Sequence, residues 1–161
     1  MFNKGDKVFY GQTGVCVVED VSEKALTKNF KGLYYTLRPL YQQNNIIYAP
    51  ALSDKVFIRG IISKSEAKRL IESLPELLIN ALDGQTEEDY KAALESHSCE
   101  ELLELAVKIY SKKQAAKRNK KKLGFIDERY LKLTEELLFG ELAAALDISL
   151  EEVPKVLFGT L

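Results

Sequence analysis

The chain of 161 residues contains no tryptophan, one histidine, one methionine and two cysteines. A two-histidine metal site is excluded within one chain, and His97, set between Ser96 and Ser98 just before a helix start, reads as a surface-loop residue rather than a triad member. Cys16 and Cys99 are far apart and in no ligand spacing, so unpaired thiols and a reducing compartment are expected. No window reaches the roughly 18 consecutive apolar residues that span a bilayer, and the opening "MFNKGDKVFY" has no apolar stretch of signal-peptide length. A cytoplasmic protein with no membrane partner is expected. With 46% hydrophobic and 29% charged residues, the composition is that of a folded globular chain.

The first sixty residues are punctuated like a small β structure. "KVFY", "GVCVVEDV", "LYYTLRPL" and "NIIYAP" are rich in Val, Ile and Tyr, and "GQTG", "KNFKG" and "QQNN" between them have turn chemistry. Four or five short strands at this spacing predict an antiparallel barrel or strongly bent sheet. Pro39 and Pro50 close their apolar runs, where a missing N–H costs least.

From Ser63 the apolar period changes to three or four. Ser63 with Glu66 forms a capping-box pattern that opens a helix carrying Ala67, Leu70, Ile71 and Leu74 on one face and ending at Pro75. Residues 76–83 form a short helical turn closed by Gly84. Thr86 with Asp89 opens a second helix to Glu95, and Ser98 with Glu101 a third, whose apolar face of Leu102, Leu103, Ala106, Ile109 and Tyr110 stops at Tyr110. A fourth helix, Asp127–Leu146, aligns Ile126, Tyr130, Leu133, Leu137 and Ala144, and a fifth starts at Ser149. Strands followed by helices predict an α+β chain: a β domain over 1–61 and a helical domain of about five helices over 62–161.

Few residues suggest catalysis. "GQTG" at 11–14 lacks the glycine spacing and terminal Lys-Ser/Thr of a phosphate-binding loop, and strands rather than helices flank it, so it reads as a hairpin turn. Acidic clusters at Glu87-Glu88-Asp89, Glu100-Glu101 and Glu151-Glu152 fall in first helical turns, where the helix dipole favours them. Glu141 falls among Leu137, Leu138, Ala144 and Ala145 and requires a basic or backbone N–H partner, a structural bond rather than a catalytic one. No enzyme activity, metal or cofactor is expected.

The outstanding absence is local. Between Tyr110 and Ile126 there is no Asp or Glu, while Lys112, Lys113, Lys117, Arg118, Lys120, Lys121 and Lys122 crowd into "SKKQAAKRNKKKLG". Residues 108–132 hold ten basic and two acidic side chains in a chain of net charge -1. Such cations repel one another unless an anion is present, which points to contact with phosphates. No aromatic residue interrupts the lysines, so base stacking is not expected.

"FNKGDKVFYGQTGVCVVEDV", "YYTLRPL", "NIIYAP", "YKAALE" and "LLFGELAAAL", in this order, resemble the CarD family of bacterial transcription regulators, whose front module is shared with the polymerase-interacting domain of transcription-repair coupling factor. The resemblance implies a Tudor-like β barrel that pairs a strand with the β-subunit lobe of RNA polymerase, and a helical domain that meets promoter DNA. It implies that Asn45, Ile46, Ile47, Tyr48, Ala49 and Pro50 form the docking strand, that Lys24 lies on the same surface, and that Lys91 of "YK" faces DNA. Family members place a tryptophan wedge four residues before that "YK"; here the position is Thr86, followed by three acids.

The resulting expectation is a non-enzymatic regulator that docks on the RNA polymerase β subunit and holds duplex DNA weakly, without sequence preference, through Lys91 and the basic residues of 112–122. Two other readings stay open. One is a protein-interaction module that binds polymerase without touching DNA; the other is an RNA- or ribosome-associated factor.

Overall fold

A computed structural model describes residues 1–11, 13–81 and 86–159. The chain divides into two compact units, Met1–Ile61 and Ile62–Leu161.

The first unit is a five-stranded antiparallel sheet. Its strands are β1 (Lys7–Tyr10), β2 (Gly14–Thr27), β3 (Phe30–Pro39), β4 (Ile47–Pro50) and β5 (Ile58–Gly60), in the spatial order β4-β3-β2-β1-β5. Val8, Cys16, Val18, Tyr35, Leu37 and Ala49 form its buried core, with Phe2, Tyr10, Val21, Ile47 and Ile58 packed around them. The Phe2 N–H donates to the Tyr35 hydroxyl at 3.0 Å, fastening the amino-terminal segment to that core. Gly11 and Gly14 both take positive φ, 43° and 91°, and the Thr13 N–H donates to the Tyr10 carbonyl at 3.0 Å. "GQTG" is thus a hairpin connection that needs its glycines for backbone conformation. Of that turn, Gln12 lies outside the described residues.

Two features of the sheet exceed the sequence reading. β2 and β3 continue to a two-residue turn at Lys28-Asn29, because register shifts between Val18 and Asp20 and between Ala25 and Thr27 absorb Glu19 and Leu26 as extra residues. β5 was not distinguishable in sequence, since three residues are too few to display an alternating pattern.

Among the described residues the second unit has six α-helices: α1 (Lys64–Glu72), α2 (Leu74–Ile79), α3 (Glu87–Glu95), α4 (Cys99–Arg118), α5 (Phe125–Leu146) and α6 (Val153–Phe158), the last preceded by a 3-10 turn at Leu150–Glu152. Ser63, Thr86 and Ser98 cap α1, α3 and α4 by accepting from the backbone N–H three residues on. At Thr86 both arms of the capping box form; at Ser63 the Glu66 carboxylate takes the serine hydroxyl, at 3.1 Å. Pro75 does not end α1. It sits in the first turn of α2, where its missing N–H has no helical partner to lose. Asp83 and Gly84, the expected close of that turn, lie outside the described residues.

The expected apolar face of α5 is corrected. Ile126 and Leu133 are exposed, at 49% and 40%, whereas Tyr130, Leu131, Thr134, Leu138, Glu141 and Leu142 are buried. The helix packs against α1, α3, α4 and α6 along its length, so its buried side is not a single stripe, and a wheel drawn for one neighbour misassigns it. Glu141 is fully buried and its Oε2 accepts the Ile62 N–H at 3.0 Å, the backbone partner that its surroundings demanded. His97 is half-buried in a left-handed turn after α3, with φ 54°.

Candidate docking edge and basic corner

In the sheet unit the residues of interest gather at β4. The strand pairs only with β3 in the described sheet and forms one of its two edges. Its register sets Tyr35 opposite Ala49 and Thr36 opposite Tyr48, and beyond the strand the Ala51 N–H donates to the Leu33 carbonyl at 2.9 Å. Antiparallel alternation then turns the main-chain groups of Ile47 and Ala49 toward β3 and the N–H and C=O of Tyr48 toward the open edge. Pro50 follows as a residue without an N–H.

Side chains alternate accordingly. Ala49 is fully buried and Ile47 packs on the core, while Ile46 and Tyr48 stand 47% and 45% exposed. The Lys24 ammonium lies 5.2 Å from the centroid of the Tyr48 ring, so the basic residue on β2 and the edge tyrosine share one patch. The loop before β4 is braced: Arg38 pairs with Glu19, the extra residue of the bulge, and donates to the Gln43 carbonyl. The guanidinium bond holds the Glu19 carboxyl below its ordinary range. Asn45 continues the brace with a 3.1 Å bond to the Gln42 side chain.

In the helical unit the basic run occupies the end of α4 and the turn into α5. Its members have different surroundings. Lys112 is half-buried and bonds the Tyr90 hydroxyl at 3.0 Å and the Asp127 carboxylate at 3.4 Å, with Tyr90 itself donating to Asp127 at 2.7 Å. The Tyr90 bond, followed by the Asp127 charge, raises the ammonium's pKa. Tyr130 packs 5.4 Å from Tyr90 and donates to Glu87 at 3.1 Å, so α3, α4 and α5 are joined beneath the run. Lys113, Lys117, Arg118, Lys120, Lys121 and Lys122 are exposed.

α4 ends in a Schellman arrangement. The Lys121 N–H donates to the Ala116 carbonyl at 2.8 Å and the Lys120 N–H to the Lys117 carbonyl at 3.1 Å, with Lys120 at φ 55°. Lys91 is exposed and 4.0 Å from Glu87. Thr86 serves as the cap of α3, and its bonds to the Asp89 carboxyl keep that group below its ordinary range. One residue of this corner escaped the sequence reading. Phe125 opens α5 three positions after Lys122 and is 82% exposed. A lone aromatic next to an apolar isoleucine carries no sequence signal that it will face water.

Among the described residues no group of three His, Cys, Asp or Glu side chains could hold a metal ion, and no helix is long and apolar enough to cross a membrane. No curated protein matches the chain. Residues 2–62 match the family model of the CarD-like/TRCF RID domain, a protein-interaction domain rather than a catalytic one, whose family interacts with the RNA polymerase β subunit. The N-terminal unit, with its five-stranded Tudor-like sheet, is thus similar over residues 2–62 to the CarD-like/TRCF RID domain.

Proposed function

We propose that this protein is a transcription regulator that adds its β4 edge to the β-subunit lobe of RNA polymerase and lays the basic end of α4 on promoter duplex phosphates. The edge position of β4 carries the first half of this reading. Tyr48 offers an N–H and a C=O outward, Ile46 and the Tyr48 ring supply exposed apolar surface, and Lys24 adds one charge beside them. These are the components of strand addition, in which main-chain bonds supply affinity and alternate side chains supply specificity.

The second half rests on six exposed cations at Lys113–Lys122 and on the absence of acids through that run. Lys112 and Lys91 are occupied by Asp127 and Glu87, so they contribute less than the others. Docking raises the local concentration of DNA around the helical unit, and a weak grip then suffices.

Binding to the isolated polymerase β lobe tests docking: the folded protein should be retained on it, and failure to bind removes the reading. Duplex affinity measured against salt tests the grip. About five phosphate contacts give a log–log slope near -4.5, whereas a flat profile favours a polymerase-binding module without DNA contact.

A further inference from the structure

Resting on that phosphate grip, and extending it, we propose that the corner between α4 and α5 holds a single-stranded nucleic acid, with Phe125 stacking on an unpaired base and Lys120, Lys121 and Lys122 on the flanking phosphates. Phe125 is 82% exposed, although burying such a ring stabilises by about 1.5–3 kcal/mol. The corner does have an inward position, which Leu123 fills by packing on the core of Tyr90, Ile109 and Tyr130. Phe125, two residues later, is left outside.

The exposed charge around the ring is mainly basic. Lys120, Lys121 and Lys122 are exposed three to five residues before it, and the carboxylate of Asp127 is turned onto Lys112 and Tyr90. Glu128 is the exposed acid of this first turn. Lys120 also holds a left-handed backbone where glycine or asparagine is the usual choice, a strain of about 1–2 kcal/mol, so its side chain is kept at a cost to stability.

The ligand follows from this pairing of one flat apolar face with a cluster of cations. Single-stranded nucleic acid alternates planar rings with negative charges and stacks on aromatic side chains whatever its sequence. A duplex hides its base faces in the stack and leaves Phe125 unsatisfied. The apolar area, one ring and the half-exposed Ile126, is small for a docked helix of a protein partner.

The test uses the full chain with one fluorescent oligonucleotide, as single strand and as duplex. Phe125→Ala should weaken single-strand binding about tenfold and duplex binding by no more than about twofold, and Phe125→Tyr should restore it. A 2-aminopurine in the strand should change its emission on binding wild-type protein and not on binding Phe125→Ala. Replacing Lys120, Lys121 and Lys122 by Gln should weaken both ligands. If the Gln variant weakens both and Phe125→Ala neither, stacking is overturned and the phosphate grip stands. If neither oligonucleotide binds, both fall. Tighter binding to anionic phospholipid vesicles than to the strand, lost in Phe125→Ala, would make the corner a membrane contact and overturn the proposal.

Discussion

The β4 edge and the α4–α5 corner are both exposed, but they present different chemistry. At β4 the available groups are main-chain donors and acceptors flanked by Ile46 and Tyr48, with Lys24 as the adjoining charge. At the corner the backbone of α4 is closed by its own Schellman bonds, and what is offered is side-chain charge with one ring. Hydrogen bonds along a strand are directional and short-ranged, so such an edge selects a partner strand and depends little on salt. A cluster of lysines acts over about a Debye length and recognises charge density, so it steers and holds without selecting.

The largest effect expected from this contrast is at the edge. Tyr48→Pro deletes the outward N–H and the ring while sparing the bonds to β3, because the lost donor points away from that strand. Affinity for the polymerase β lobe, read by titration, should fall about a hundredfold, with duplex affinity unchanged. Wild-type affinity in a folded Tyr48→Pro protein would break the comparison.

Alkali should separate the two units next. Burial pushes the Cys16 thiol up to about 11 from 9.0, so the unfolded chain releases this proton first. Its contribution is full below about pH 9 and declines as pH rises toward 11, by about 2–3 kcal/mol in all. Tyr110, raised above 10.0 by burial and by its bond to Glu135, acts in the same direction on the helical unit from about pH 10 upward. Urea unfolding between pH 8 and 10 should show the sheet unit weakening first, and Cys16→Val should remove most of that trend.

The smallest effect sharpens the corner. Lys120→Gly relieves the left-handed lysine and should stabilise the chain by about 1 kcal/mol in urea unfolding, while the salt slope of duplex binding becomes shallower by about 0.9. Stabilisation with an unchanged slope would remove Lys120 from the phosphate contacts.

What could be read in sequence was what is decided locally. The caps at Ser63, Thr86 and Ser98 act on a backbone N–H three residues away, and the strands β1 to β4 follow from alternation and turn residues. The basic run was visible as a composition, and the need of Glu141 for a partner followed from its apolar neighbours. The rest depended on contacts distant in sequence. That β4 is an edge is a property of strand order, which no single strand carries. That Lys112 is tied down while Lys120 is exposed depends on Tyr90, 22 residues earlier, and on Asp127. The buried side of α5 and the exposure of Phe125 are set by which helices pack alongside, because burial is a relation between elements rather than a property of a residue. The sequence by itself determined the strands β1 to β4, the capped starts of α1, α3 and α4 and where the charge is concentrated; only the tertiary structure decided which donors, which lysines and which ring are left for a partner.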